Sequence, residues 1–218
     1  MHTTIPPGAC GIPPGNEKPR RASAPDSSVA AESLDWRGGA ITIRPIGPDD
    51  GPRHRAFAGA LAGVDIHMRF FSARRKLSEA DLDRLIHIDP AIETAFVAVR
   101  TLPGGIEETL GVVRLVGSVA SDEAELGIIV RSDLKARGLG HLLMQRMLAH
   151  VAAHGPRRVI ALVLRENAAM GALATAHGFV VDNEASDSDA LCYALEPSLR
   201  GASPAVLPDR TSALPVAA

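Results

Sequence analysis

Apolar residues between about 39 and 197 follow either a period of two or a helical period, and the two patterns alternate along the chain. Apolar runs rich in β-branched residues predict strands, and the turn-rich LPGG at 102–105 predicts a hairpin. Apolar positions spaced three and four apart predict helices. The predicted strands cover 41–46, 94–99, 109–116, 123–130, 158–164, 179–182 and 190–196. The predicted helices cover about 49–62, 65–71, 78–88, 138–154 and 167–176.

This order predicts an α/β (α+β) domain over 39–197, with a mixed central sheet of about six or seven strands flanked by helices. The two ends of the chain have a different composition. Residues 1–38 and 198–218 are rich in proline, glycine, serine and alanine and carry few large apolar residues. Such segments bury too little surface to offset the entropy of ordering, so we expect two disordered tails. Trp36, at the end of the first tail, is then expected to be incidental.

Composition and charge narrow the function classes. The chain has 23 Lys and Arg against 25 Asp and Glu, and this balance argues against a nucleic-acid partner. No apolar run approaches the length of a membrane span, and the first residues do not resemble a secretory signal, so we expect a cytoplasmic protein without a membrane partner. Cys10 and Cys192 fit neither a disulfide framework nor a metal site, so no metal is expected.

The segment KARGLG at 135–140 joins a predicted strand to a predicted helix and carries the clearest chemical pattern. A glycine-rich turn at a helix N-terminus exposes backbone N–H groups, and these attract an anion such as a phosphate. Gly138 and Gly140 leave room for a pyrophosphate, and Lys135 and Arg137 add positive charge at its rim. A plain tight turn is the alternative. The pattern matches neither the phosphate loop of nucleotide hydrolases nor the dinucleotide fingerprint of the Rossmann fold.

The same segment resembles the acetyl-CoA loop [RQ]-x-x-G-x-[GA] of the Gcn5-related N-acetyltransferase (GNAT) superfamily. Lys135, Gly138 and Gly140 occupy its three defining positions, with Lys in place of the usual Arg or Gln. The resemblance covers about 41–196 and is closest to the acetyltransferase domain of bacterial protein lysine acetyltransferases of the Pat type. The segments that carry it are MRFFS (68–72), AELGIIVRSDLKARGLGHLLM (124–144) and NAAMGALATAHGF (167–179).

The resemblance implies a GNAT fold with a V-shaped splay between the fourth and fifth predicted strands, 123–130 and 158–164. Acetyl-CoA is the implied co-substrate, and its pantetheine arm pairs with the earlier strand, near Ile128 and Val130. Asn167 approaches the cofactor from the far side. The residues implied to hold the pyrophosphate are Lys135, Ala136, Arg137, Gly138, Leu139 and Gly140.

Glu125 is the implied general base, because the Pat-type group uses a glutamate on the strand before the loop. The residue pattern agrees, since Glu125 shares one strand face with Gly127 and Ile129, where a carboxylate is an unusual choice. An amine must lose a proton before it attacks a thioester, and a carboxylate can accept that proton. The alternative is an acid at a strand end in solvent. The tyrosine that many relatives use as an acid is replaced here by Ala174.

The implied activity is transfer of an acetyl group to a primary amine, most simply a protein lysine. Acyl-CoA synthetases are the family's typical protein targets. Two other functions stay open: acetylation of a small amine, and a non-catalytic module that binds CoA. The implied assembly is a monomer or a homodimer.

Overall fold

The computed structural model describes residues 30–71, 76–117 and 123–197. Residues 1–29 and 198–218, which hold most of the two predicted tails, lie outside the described residues. Within those ranges, eight strands form one mixed sheet in the order β1-β2-β3-β4-β5-β6-β8-β7, which confirms the predicted α/β class. The strands are β1 (Glu32–Trp36), β2 (Gly39–Pro45), β3 (Glu93–Thr101), β4 (Glu107–Val116), β5 (Glu123–Val130), β6 (Arg158–Leu164), β7 (Val180–Asp182) and β8 (Ala190–Leu195). The helices are α1 (Gly51–Gly59), α2 (Gly63–Phe70), α3 (Glu79–Ile86), α4 (Leu139–His154) and α5 (Ala168–Ala176).

The first strand corrects the predicted boundary of the N-terminal tail. Residues of β1 pair antiparallel with β2, so the tail prediction is wrong for residues 32–38. The two strands are joined by Arg37 and Gly38, whose φ angles of 57° and 77° are those of a tight two-residue hairpin turn. Trp36 is buried in the main core rather than incidental. The strand raises the count from the predicted six or seven to eight.

Helices cover both faces of the sheet, and the sheet separates the hydrophobic core into two clusters. The larger cluster lies under α4 and α5 and contains Phe96, Leu143 and Met147, all fully buried. The smaller cluster lies under α1 and α3 on the opposite face and contains Phe57, Ile86 and Val97. This three-layer arrangement buries the long apolar strands β3 and β4 on both sides. No helix among the described residues is long and apolar enough to cross a membrane.

The sheet opens between β5 and β6. These two strands run parallel and pair at three positions, from Glu123 opposite Arg158 to Glu125 opposite Ile160. Beyond that point β5 continues as far as Val130 and remains paired with β4, but it no longer pairs with β6. The predicted splay between the fourth and fifth predicted strands is therefore confirmed, and it begins directly after Glu125.

A buried carboxylate fixes the start of α1 against the sheet. Asp50 is 1% exposed and accepts hydrogen bonds from Arg44 of β2 (2.7 Å) and Arg53 of α1 (2.8 Å). It also accepts a hydrogen bond from the backbone N–H of Gly47 (2.9 Å). Burial by itself raises the pKa of this carboxyl, but the hydrogen bonds outweigh it and lower the pKa to about 2.

Replacing Asp50 with Asn tests this contribution to stability. The pKa is lower in the folded chain than its usual value of 3.8, so the charged form stabilises the fold above about pH 4 and loses that effect as the pH falls towards 2. We expect Asp50→Asn to lower the free energy of unfolding at pH 7 by about 2 kcal/mol. Urea unfolding from pH 7 to pH 2 should show a flatter pH dependence for the variant. An equal acid dependence in both proteins would contradict the assignment.

Candidate active-site cleft

A cleft fills the gap between β5 and β6 and encloses about 1170 Å³ of empty space, including its open mouth. Its floor is the part of β5 that has parted from β6. One wall is formed by α5 and the start of α4, and the opposite wall by α2. The predicted site residues that line it are Glu125, Ile128, Val130, Lys135, Ala136, Gly138, Leu139, Gly140 and Asn167. Arg137 was predicted to join them, but it is not among the residues that line the cleft.

Glu125 occupies the closed end of the cleft. It is the last residue of β5 that pairs with β6, so the two strands separate immediately after it. The residue is half-buried. Its neighbours on the same strand face are Gly127 and Ile129, whereas Leu126 packs into the large core on the other face. The carboxylate is therefore on the α2 side of the sheet, at the apex of the splay.

The loop 135–140 forms the opposite end of the cleft. Ala136 and Gly138 have φ angles of 55° and 86°, in the left-handed region, which turn the chain sharply into α4. The first helical donors are the N–H groups of His141 and Leu142, both bonded to the Gly138 carbonyl. The N–H groups of residues 138–140 therefore lie at the helix N-terminus without an acceptor inside the helix. This geometry is suited to an anion.

Part of the positive charge of this loop is neutralised by an ion pair within the protein. The ammonium of Lys135 forms an ion pair with Oδ1 of Asp65, a buried residue of α2. The hydroxyl of Ser132 donates to the other oxygen of Asp65 and accepts a hydrogen bond from the N–H of Ala62 (2.7 Å). These contacts hold α2 against the loop and leave the backbone N–H groups as the principal donors towards an anion.

The N-terminal hairpin of β1 and β2 contacts the same loop through a hydrogen bond. The indole Nε1–H of Trp36 donates a hydrogen bond to the carbonyl of Arg137 (3.0 Å). That carbonyl lies between Ala136 and Gly138, the two residues with positive φ. A non-glycine residue in this region costs about 1 kcal/mol, so an added contact helps to hold the turn. Arg137 thus contributes its backbone carbonyl to the loop, while its side chain is exposed.

The far wall depends on close packing between α4 and α5. A Cβ at Gly140 would lie 3.3 Å from Cδ2 of Leu173 of α5, so a larger residue would require the Leu173 side chain to shift. Asn167 caps α5, because its side-chain oxygen accepts a hydrogen bond from the N–H of Met170 (3.2 Å). It therefore lines the cleft as predicted and also fixes the start of the wall.

Sequence reasoning missed the contribution of α2 and of the N-terminal hairpin. Asp65, Met68 and Arg69 line the cleft, although the first was not singled out and the others were noted within MRFFS as part of a resemblance. Trp36 was assigned to a tail. Its pairing with Arg137 spans 101 residues, so no local pattern points to it. Among the described residues, no group of three or more histidine, cysteine or acidic side chains is arranged to hold a metal ion.

Comparison with known proteins identifies the family. A family profile described as "Acetyltransferase (GNAT) domain" matches residues 40–180. The chain is 30% identical over 164 residues to the acetyltransferase PA5475 of Pseudomonas aeruginosa, and the match covers 75% of this chain and 87% of that relative.

Solved structures share the fold. The GNAT domain of S. lividans PAT superposes with a TM-score of 0.67 at 26% identity, covering 76% of this chain and 96% of that one. A spermidine N-acetyltransferase from Vibrio cholerae, solved with CoA and spermine, superposes with a TM-score of 0.59 at 20% identity, covering 73% and 96%. The second likeness shows the fold alone.

Replacing Trp36 with Phe removes the indole donor while keeping an aromatic ring in the core. One hydrogen bond contributes about 0.5–1.5 kcal/mol, so we expect amide hydrogen exchange in the segment 135–139 to speed up by roughly 3–10-fold. Arg137→Ala is the matched control, because it keeps the carbonyl that accepts the bond. Exchange in this segment that is the same in Trp36→Phe and in the parent would show that the indole does not support the loop.

Proposed function

Because the chain belongs to the GNAT acetyltransferase family, we propose that it binds acetyl-CoA in the cleft between β5 and β6 and transfers the acetyl group to a primary amine, most simply a protein lysine. One observation carries this proposal. The cleft has a glycine-containing turn at a helix N-terminus at one end, residues 135–140, and a half-buried carboxylate, Glu125, at the other. A cofactor with a pyrophosphate at one end and a thioester at the other fits this arrangement, with its phosphates at the turn and its reacting carbon near Glu125.

The spacing between the two ends suits the cofactor. From Glu125 to Val130, β5 rises about 17 Å at 3.3 Å per residue, close to the length of an extended pantetheine arm. Along this stretch the edge of β5 that faces β6 has lost its strand partner. Unpaired backbone groups at a sheet edge readily accept an added chain, and the amides of a pantetheine arm can pair with them. Ile128 and Val130 lie at this edge.

The reaction follows from the chemistry of the apex. A lysine ammonium has a pKa of about 10.4, so it must lose a proton before it can attack. Glu125 accepts that proton, directly or through a water molecule. The amine nitrogen then forms a bond to the thioester carbon, the carbon–sulfur bond breaks, and CoA leaves as a thiolate. The nitrogen releases its second proton as the amide forms, and the thiolate takes up a proton in return. Backbone N–H groups of residues 126–130 stabilise the negative oxygen of the tetrahedral intermediate.

Two acceptor classes fit the proposal. A protein lysine, such as one on an acyl-CoA synthetase, is supported by the similarity to the GNAT domain of S. lividans PAT. A small amine is the second candidate, and a specific contact favours it. His67 of α2 lies 3.7 Å from Glu166, which follows β6, so α2 spans the splay and narrows access from that side. Acetyl-CoA labelled in its acetyl group, incubated with the chain and a host lysate, separates the two by placing label in protein or in small molecules.

The cofactor assignment is tested by Gly138→Asp. The substitution places bulk and a negative charge where the pyrophosphate binds, so we expect CoA to lose its thermal stabilisation of the fold. Gly104→Asp is the matched control. Gly104 also has a positive φ, 89°, with no atom within 4 Å of its Cβ position, but it lies in the β3–β4 turn. Stabilisation by CoA that survives in Gly138→Asp and matches Gly104→Asp would contradict the phosphate assignment.

The catalytic assignment is tested by Glu125→Gln, which keeps the shape and removes the proton acceptor. CoA affinity should change little, because backbone groups hold the cofactor. Turnover should fall by about 10²–10⁴-fold, the usual contribution of a positioned base. Part of the loss should be recovered at high pH, where more of the acceptor amine is already neutral.

Glu123→Gln provides the control for this measurement. Glu123 lies on the same strand but is exposed and pairs with Arg158 (2.9 Å) outside the cleft. A pH–rate profile of Glu125→Gln that overlays those of Glu123→Gln and the parent would remove Glu125 from the mechanism.

A further inference from the structure

A positively charged side chain, Arg69, lies on the α2 wall of the cleft. Arg69 lines the cleft and is half-buried. Among the residues that the structure describes, its guanidinium forms no hydrogen bond and no ion pair. Its nearest aromatic contact is the ring of Phe70, whose centroid is 5.1 Å away. A guanidinium has five N–H donors in a fixed, planar arrangement, so it can bind an anion that enters the cleft.

The helical neighbour that would normally pair with Arg69 is already engaged. Asp65 stands four residues earlier on α2, the spacing at which an acid and an arginine pair on a helix. Both of its carboxylate oxygens are occupied instead, one by Lys135 and the other by Ser132. Asp65 therefore binds Ser132 and Lys135 of the loop instead of neutralising Arg69.

The position of the guanidinium is set by a glycine in β5. Gly127 is buried, and a Cβ built there would overlap the guanidinium of Arg69. The side chain therefore lies directly on the strand, on the face that also carries Glu125. Any residue other than glycine at 127 would displace it. The absence of a side chain at Gly127, two residues after Glu125, is thus explained, because it makes room for Arg69.

Among the described residues, no acid lines the inner side of Arg69. Behind it lies a small cavity under α1 and α3, lined mainly by apolar side chains such as Phe57 and Leu85. Arg114 also faces this cavity, but it is a second cation, and Glu93 and the Leu85 carbonyl already bind it. Arg69 therefore faces the cleft, on the same strand face as Glu125.

We propose that Arg69 binds a carboxylate of the acceptor, so that the preferred substrate is an amine with a carboxylate a few ångströms from the nitrogen. This inference rests on the proposed function, because it takes Glu125 as the site where the amine is deprotonated. Glu125 and Gly127 are two residues apart on one strand face, about 7 Å along the strand. That spacing matches the distance between an amine and a nearby carboxylate in one small substrate or peptide segment.

A carboxylate fits this position better than a phosphate. A single guanidinium balances one negative charge and can bind both oxygens of a carboxylate at once. The other cation at the cleft, Lys135, is paired with Asp65. Two sources supply the required chemistry: a free amino acid, in which the carboxylate belongs to the same molecule, and a peptide in which an acidic residue adjoins the acetylated lysine.

The inference is tested with bisubstrate analogues, in which the sulfur of CoA is joined through an acetyl linker to the acceptor nitrogen. One pair carries the α-amine of aspartate or of asparagine amide, and the other carries the ε-amine of lysine in a Lys-Asp or a Lys-Asn peptide. Dissociation constants are measured by calorimetry, so no turnover is required. The two members of each pair differ in whether they carry a carboxylate or an amide. The ratio of their affinities is therefore independent of any general loss of binding in a variant.

The full-length chain should bind the acidic member of at least one pair about tenfold more tightly than the amide, as expected for a charge-assisted hydrogen bond. Arg69→Gln should reduce this ratio to about one while leaving the affinity for CoA itself unchanged. Arg69→Lys, which keeps the charge but not the two-pronged geometry, should retain part of it. Arg84→Gln, an exposed arginine of α3 outside the cleft, is the matched control and should keep the full ratio.

The outcomes separate this inference from the proposed function. A preference in the amino-acid pair indicates a small acidic amine, and a preference in the peptide pair indicates a lysine beside an acid. A ratio near one for both pairs in the parent, or an equal ratio in Arg69→Gln, overturns the inference while CoA binding still supports the proposed function. A chain that binds neither CoA nor any analogue overturns both.

Discussion

The parting of β5 from β6 is the constraint on which the rest of the site depends. A central strand normally pairs on both edges, and a buried backbone group without a partner is costly. Here β5 keeps its pairing with β4 as far as Val130 but loses β6 after Glu125. The backbone groups on the open edge are then exposed to the cleft. They can be satisfied by solvent or by a ligand that imitates a strand, and a pantetheine arm has the amides to do so.

An open sheet needs support on both sides, and the structure supplies it through contacts distant in sequence. On one side, α5 packs against the first turn of α4, where Gly140 brings Leu173 close. On the other side, α2 is tied to the loop by the pair of Asp65 and Lys135, and the N-terminal hairpin reaches the same loop through Trp36. The turn at 135–140 is thus held by contacts from three elements. One consequence is that the positive charge of Lys135 is neutralised by Asp65, whereas the guanidinium of Arg69 faces the cleft.

The sequence predicted the parts of the fold that have a strong local pattern. The long apolar strands, the amphipathic α4 and the glycine-rich turn before it follow from spacing alone, and the resemblance added the splay and the location of Glu125. The exception was β1, because its five residues carry acids at the first and fourth positions without a strict alternation and lie next to a segment rich in proline and glycine. Its pairing is stabilised by the burial of Trp36, and burial is a tertiary effect.

The chemistry of the cleft shows the same limit. Gly127 has an obvious sequence position beside Glu125, yet its role depends on Arg69, which lies 58 positions earlier on another element. The pair of Asp65 and Lys135 spans 70 residues. Local sequence patterns and residue propensities do not predict such contacts, because the contacts form only when the helices pack on the sheet. The contacts of these cleft residues therefore follow from the folded chain and not from the local sequence.

The most direct test of acetyl-CoA binding in the splay is a crystal structure of the chain with the cofactor bound. We expect the pyrophosphate on the N–H groups of residues 136–140, the pantetheine arm along the open edge of β5, and the thioester carbon beside Glu125. A cofactor with its phosphates elsewhere, or a thioester far from the apex where β5 and β6 part, would contradict the proposed mechanism.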